Sequence, residues 1–376
     1  MKHIRTLVWI LCACSVSVAW SQQAARKRSA GWSEFHMTDM VRLNASENVL
    51  NIHNVGKLVA KWSYTAGDDV ESSPAVVNGV VYIGSWDRSV HALNANTGVQ
   101  LWSYATGDWV SSSPAVANGM VYFGSYDGNV YALNAKTGAL RWSYATGGFV
   151  FSSPVVASGV VYIASGDFKV YALNASTGAL LWSSPTGSYV YSSPAVANGV
   201  VYVSSLDDNV YALNASTGAQ LWRYATSYSV YSSPAVANGV VYVGSDDGNA
   251  YALNATTGAK LWSHGLGGEV YSSPAVANGR VYVAASNGDV YALEATTGAL
   301  VWSYTTGDFV QSSPAVANGV VYVGSLDHNL YALNAKTGSK LWSYTTGGIV
   351  YSSPAVANGV VYVGSGDSKV YAFGLK

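Results

Sequence analysis

Beyond its first 21 residues the chain has no cysteine: Cys12 and Cys14 are the only two. If that stretch is removed, no thiol, disulfide or cysteine metal ligand remains. Charge is also scarce, at 10% of residues with a net charge of −1. From residue 57 onward there is no cluster of Lys and Arg, which a phosphate-tracking surface needs, so the composition argues against nucleic-acid partners. The same region has no helix-period segment of useful length and no Gly-x-x-x-x-Gly-Lys-Ser/Thr phosphate loop. The six histidines (His3, His36, His53, His91, His264, His328) are scattered, and none pairs with another at metal-ligand spacing.

What the chain does contain is a period. Trp62, Trp102, Trp142, Trp182, Trp222, Trp262, Trp302 and Trp342 stand 40 residues apart, and Pro74 to Pro354 keep the same spacing. Residues 57–376 are therefore eight copies of one supersecondary unit, 8 × 40 = 320 residues. Within a unit, short Val- and Tyr-rich runs alternate with turn dipeptides, the pattern of strands and hairpins. Asn-Gly occupies one turn in seven units, as at Asn238-Gly239, and Ser158-Gly159 replaces it in the other. Such pairs suit a type I′ hairpin, with positive φ at both residues. Four strands per unit follow: A (Val-x-Ser-Ser-Pro-Ala-Val), B (Val-Val-Tyr-Val-Gly-Ser), C (Val-Tyr-Ala-Leu-Asn-Ala) and D (Leu-Trp-Ser-Tyr).

Forty residues in four antiparallel strands predict a propeller blade, and the array predicts an all-β, eight-bladed β-propeller. A parallel β-helix has shorter coils and lacks these tight hairpins. The array opens on a lone D strand, Leu58 to Tyr64, and closes on a C strand, Val370 to Phe373. Pairing that N-terminal D strand with the C-terminal A–C strands would complete the eighth blade and remove two sheet edges.

The N-terminus reads as a separate segment. Lys2, His3 and Arg5 precede an apolar run from Leu7 to Trp20, and Ala19-Trp20-Ser21 suits cleavage after Ser21. The expected organisation is a signal peptide over 1–21, a lead-in over 22–56 that packs on the propeller, and the array over 57–376. Export to the periplasm or beyond follows, without a transmembrane span. Leu11-Cys12-Ala13-Cys14 leaves open a lipid anchor on Cys14.

The segment Ala132 to Trp142, Ala-Leu-Asn-Ala-Lys-Thr-Gly-Ala-Leu-Arg-Trp, resembles the tryptophan-docking motif of pyrroloquinoline-quinone (PQQ)-like propeller repeats, with Asn134 at the usual Asp. Seven continuous copies run from Ala92–Trp102 to Ala332–Trp342. The eighth is split between Ala372 and Trp62 and lacks its Thr-Gly step. The resemblance implies that each of the eight tryptophans docks on the neighbouring blade. Residues 30–58, with Trp32, Phe35, Asn44 and Asn54-Val55, are similar to the lead-in found before many bacterial arrays of this kind. The single Trp86-Asp87 pair lacks the recurring Gly-His of WD40 blades.

Two kinds of family member set the functional alternatives. One is the non-catalytic envelope scaffold, such as the propeller lipoprotein of the outer-membrane β-barrel assembly machinery. The other is the quinoprotein dehydrogenase of alcohols or sugars, which binds PQQ and usually calcium near the axis. The vicinal cysteines and insertion-borne ligands of the dehydrogenases have no counterpart here, so no catalytic residue, metal or cofactor is expected. Ser-Ser-Pro recurs eight times, which makes its serines structural rather than nucleophilic. Asp87, Asp127, Asp167, Asp207, Asp247, Asp327 and Asp367, with Asn287 in the remaining unit, suit the B–C turn. The sequons at Asn174, Asn214 and Asn254 fall on the docking motif.

Differences between the copies concentrate in the D–A connections and B–C turns, which share one face of a propeller. Trp86, Asp108, Trp109, Tyr126, Phe149, Tyr189, Tyr228, Glu269, Asp308 and Phe309 lie there. The residue before Ser-Ser-Pro forms an inner ring: Glu71, Ser111, Phe151, Tyr191, Tyr231, Tyr271, Gln311, Tyr351. Variable aromatic loops on a rigid scaffold suit a protein, peptide or glycan partner in the cell envelope, bound by a monomer.

Overall fold

A computed structural model describes residues 31–37 and 40–376. The expected signal segment 1–21, with Cys12 and Cys14, and residues 22–30 of the expected lead-in lie outside the described residues. The described chain folds as eight antiparallel four-stranded sheets arranged in a ring. In the first blade, strands A to D are Ala75–Val77, Val80–Ser85, Ser89–Asn94 and Gln100–Ala105, and the later blades repeat them at 40-residue intervals. The last blade closes the ring as the sequence predicts. Val59–Thr65 pairs antiparallel with Lys369–Gly374, and Trp62 faces Ala372.

Local chemistry accounts for the hairpins. Asn78 and Gly79 hold φ at 51° and 77°, and Ser158 and Gly159 at 50° and 79°, the positive pair that a type I′ turn requires. Strand D is broken by a bulge one residue before the tryptophan: Ala92 faces Trp102, but Leu93 faces Gln100. On the outermost strand such a bulge disrupts an edge that would otherwise invite pairing. Strand A is shorter than the sequence suggests, three residues rather than seven. The difference lies in Ser-Ser-Pro. Proline has no N–H for a ladder, and the serines before it are bonded around the axis instead.

That bonding joins all eight blades. The amide of Ser73 donates to Oγ of Ser113 at 2.9 Å, Ser113 to Ser153, and so on until Ser353 donates back to Oγ of Ser73 at 3.0 Å. Farther out, each tryptophan docks on the next blade. Trp142 Nε1 donates to the Ala175 carbonyl at 2.9 Å, and six other tryptophans repeat this contact with their own alanines. The ring lies against the Thr-Gly turn. A Cβ on Gly178 would come within 2.7 Å of the Trp142 ring, so only glycine fits, and its φ of 74° requires one as well. Trp342 has no such turn to meet. It donates instead to the Leu58 carbonyl at 3.1 Å, beside a single 3-10 turn at Val55–Lys57 that fills the missing step. The hydroxyl of Tyr322, whose equivalents bond the alanine carbonyls, is left buried without a partner there.

The lead-in packs on the propeller by circling the bottom of its axial channel. Backbone groups of successive A strands point into the channel, and the lead-in meets them in blade order. Trp32 bridges Val76, Ser33 accepts from the Val116 amide, and Glu34 Oε2 accepts from Val156 at 3.3 Å. Met40, Val41 and Arg42 then accept from Val236, Val276 and Val316. Leu43–Asn44 adds a short parallel strand to the seventh blade, and the Asn44 amide donates to Val356 in the eighth. The described residues between Trp32 and Asn44 thus reach the A strands of seven blades and satisfy backbone groups that would otherwise be buried and unpaired. Arg42 is fully buried. It donates to the carbonyls of Phe35, Pro314, Ser313 and Pro354 and lies 4.5 Å from the Phe35 ring centre. Among the described residues no helix is long and apolar enough to cross a membrane.

Deleting residues 352–376 would strand Val59–Thr65 and expose two blade surfaces; a melting temperature lowered by well over 10 °C is expected, and an unchanged transition would argue against ring closure. A second expectation concerns Glu34. Burial pushes its carboxyl up to about 8, only partly offset by the Val156 amide. The folded state therefore favours the protonated form, and its contribution is complete below the unfolded value near 4.5 and is lost as pH rises through 8. Glu34→Gln should match the wild type in stability at pH 5 and exceed it by up to roughly 4 kcal/mol at pH 9. Denaturant titrations at the two pH values measure this, and an equal difference at both would show that Glu34 is ionised in the fold.

Candidate binding face and axial cavity

The D–A connections and B–C turns lie together on the face opposite the Asn-Gly and Thr-Gly turns. One recurrent group holds each pair of loops. Asp127 Oδ2 accepts from the Gly107 amide at 2.8 Å, from the preceding connection, and from the Tyr131 hydroxyl at 2.7 Å. Asp87, Asp167, Asp207, Asp247, Asp327 and Asp367 make the equivalent bond to residues 67, 147, 187, 227, 307 and 347. Burial alone would raise the Asp127 carboxyl, but the bonds from Tyr131, Gly107 and Asn129 together hold it below its ordinary value. In the sixth blade Asn287 donates to the Leu266 carbonyl, reversing the polarity of the same clamp. These side chains are structural.

On this clamped frame the predicted aromatic residues form a continuous arc. Trp86 stacks on Trp109 with ring centres 4.4 Å apart and planes 5° from parallel, and Trp86 Nε1 donates to Ser111 Oγ at 2.9 Å. Trp109 meets Tyr126 edge-on at 5.8 Å, and Tyr126 stacks on Phe149 at 5.4 Å. Phe149 reaches Tyr189 at 5.5 Å and Tyr191 at 5.6 Å. The arc continues inward through Phe151, Tyr191, Tyr231 and Tyr271. Each ring supports the next, which preorganises apolar area that remains open to solvent: Trp109 is 38% exposed and Tyr189 40%.

Not every predicted residue joins. Tyr228 and Phe309 are exposed, at 66% and 49%, and make no ring contact within the arc. Asp108 and Asp308 accept from the amides of Trp109 and Phe309, a local turn role. Glu269 accepts from the Tyr271 hydroxyl at 2.7 Å. Phe168, which sequence comparison of the copies passed over, packs edge-on against Tyr189 at 4.8 Å. It sits at the third turn position with φ of 68°, where the other copies carry Gly, Asp, Arg, His or Ser. A bulky residue at a left-handed position was the available signal.

Inside the arc lies an axial cavity of about 340 Å³. The second serine of each Ser-Ser-Pro and the inner ring from Glu71 to Tyr351 line it, and Phe35 of the lead-in lies at its bottom. No Lys, Arg or His is among the lining residues. Burial pushes the Glu71 carboxyl up to about 7, Asp69 adds to this, and the nearby Trp86 indole opposes it. Asp246 is raised to about 7 by burial and then by Glu269, Asp247 and Asp208, and its Oδ1 has no hydrogen-bond partner in the protein. Among the described residues, no group of three or more His, Cys, Asp or Glu is placed to hold a metal ion.

Comparison with known proteins agrees with this architecture. A family profile described as the beta-propeller of the beta-alanine-activating enzyme matches residues 39–239, more than half of the chain. A profile described as outer membrane protein assembly factor BamB matches residues 227–313 and 307–376. No curated protein sequence matches significantly. Among solved structures, BamB from Moraxella catarrhalis superposes with a TM-score of 0.74 at 20% identity, covering 85% of this chain and 100% of that one. A europium-containing methanol dehydrogenase gives 0.82 at 16% identity, covering 92% and 98%. A computationally designed protein, Ika8, gives 0.74 at 19% identity, covering 83% and 98%. At these identities the superpositions speak to fold alone. Together with the eight docked tryptophans, the profile matches identify the chain: it belongs to the PQQ-like β-propeller family.

Proposed function

We propose that this protein is an exported, non-enzymatic propeller that binds a partner in the cell envelope through the face built from the D–A and B–C loops. The observation that carries this reading is the preorganised aromatic arc from Trp86 to Tyr271. Rigid, partly exposed Trp and Tyr side chains supply contact area at low cost in conformational entropy, and they are the residues in which binding energy concentrates. The opposite face consists of repeated turns with little to distinguish one blade from the next, and it offers a partner no unique feature.

The alternative is a PQQ-dependent oxidoreductase. PQQ is a planar quinone with three carboxylates and needs cationic partners. The cavity lining presents a carboxylate, hydroxyls and aromatic rings, with no cationic side chain. Arg42 lies below it, fully buried and bonded to four carbonyls. That donor set does not fit the quinone, which supports the binding reading.

Immobilised wild-type protein should retain a partner from the native envelope, whereas Trp109→Ala combined with Tyr189→Ala should retain at least tenfold less while melting within about 3 °C of the wild type. Retention by the double variant would move the site away from this face. Adding PQQ with calcium tests the alternative: a bound-quinone spectrum together with dye-linked oxidation of an alcohol or sugar would replace the scaffold reading with an enzymatic one.

A further inference from the structure

The axial cavity has a chemical preference of its own. Its wall is formed by the rings of Phe151, Tyr191, Tyr231, Tyr271 and Tyr351, and Glu71 is the one ionisable carboxyl among them. Tyr191 and Tyr231 stack at 5.4 Å, and Tyr231 meets Tyr271 edge-on at 5.4 Å, so the wall is rigid on one side. Further carboxylates border the mouth. Asp69 and Asp308 act electrostatically on Tyr351, and Asp246 and Glu269 on Tyr231. At the bottom, Phe35 separates the cavity from the guanidinium of Arg42. The axis is therefore polarised, with carboxylates and ring faces above and a buried positive charge below.

We propose that this cavity receives the side chain of an arginine carried on an exposed segment of the protein partner. The inference rests on the partner-binding reading of the face and names what the partner must present. Ring faces attract a cation through their quadrupole, and a planar guanidinium stacks on them better than a compact ammonium does. Glu71 supplies a carboxylate that can accept from the guanidinium fork, while the serine and tyrosine hydroxyls satisfy its remaining N–H groups. Arg42 repels a second cation, so the arriving group stops at the level of Glu71 rather than reaching the lead-in. The crowding that raises Glu71 and Asp246 is relieved when a positive charge enters. A closed bottom and an open mouth also mean that only an extended side chain, and not a folded element, can enter.

Calorimetric titration of the full chain with acetyl-Gly-Gly-Arg-Gly-Gly-amide tests this against the same peptide containing citrulline, the neutral isostere. The arginine peptide should bind and the citrulline peptide at least tenfold more weakly. Glu71→Gln should lower affinity for the arginine peptide about tenfold, and Gln311→Arg, which places a like charge in the cavity wall, should abolish binding. Melting curves establish that both variants are folded. No binding of the arginine peptide, equal binding of the two peptides, or unchanged affinity in both variants would each overturn the proposal. N-methylguanidinium binding as tightly as the peptide would assign the cavity to a free organic cation and overturn the peptide source. Should these arms fail while Trp109→Ala with Tyr189→Ala still loses its envelope partner, the face reading stands and the arginine assignment alone falls.

Discussion

Every level of this structure depends on one contact repeated around a ring: an indole lying on the turn of the next blade, its N–H directed at a carbonyl there. A blade alone cannot bury its tryptophan, because the surface that covers it belongs to a neighbour. Burying one such ring removes roughly 150–250 Å² from water, a gross gain of about 4–6 kcal/mol at 25 cal/mol/Å². The ring must close for the last indole to be covered, and here closure is imperfect in an informative way. Trp342 finds no Thr-Gly turn and docks on Leu58 instead, so the segment before the array completes the array. Stability of the propeller and attachment of the lead-in are thereby coupled at one seam.

A second ring, at the axis, uses hydrogen bonds rather than apolar area. The Ser-Ser-Pro steps sit where the eight blades converge and where strand pairing would leave backbone groups facing an empty channel. Proline ends the need for a ladder donor, and the second serine of each step passes its bonds around the axis. The lead-in then satisfies the A strands below this ring. Because it circles the channel once and contributes Phe35 and Arg42, the cavity above it is closed at one end and polarised. The serines identical in every blade thus frame the cavity, and the inner-ring residues that differ between blades, with Phe35 and Arg42 present once, supply its asymmetry.

The same division explains what the sequence disclosed. Period, turn chemistry and strand pairing at Asn78-Gly79, Trp62 and Ala372 were legible because each is repeated and each rests on local stereochemistry. The arc from Trp86 to Tyr189 was legible as departures from the repeat, although the alignment of copies could say only which loops differ and not which side chains meet. Tyr228 and Phe309 are equally variable and stand apart. Phe168 was missed because it occupies a turn position defined by backbone angle rather than by residue type. The course of residues 32–44 was not legible at all. Its described part is fixed by tertiary hydrogen bonds to seven strands more than 40 residues away, and a segment that occurs once has no internal copy against which its constraints can be read.

Repetition also sets where function can evolve in such a molecule. A substitution at a clamp such as Asp127 or a docking residue such as Trp142 breaks an interface that seven other blades still keep, so it costs stability without creating anything unique. The inner-ring position before Ser-Ser-Pro makes no recurrent hydrogen bond across the blades, and its eight side chains converge on one cavity. It is therefore free to vary while every change is felt at the axis. Glu71 among five aromatic rings is the kind of single departure that gives a symmetric scaffold a direction, and the buried charge of Arg42 beneath it determines which sign of ligand the direction favours.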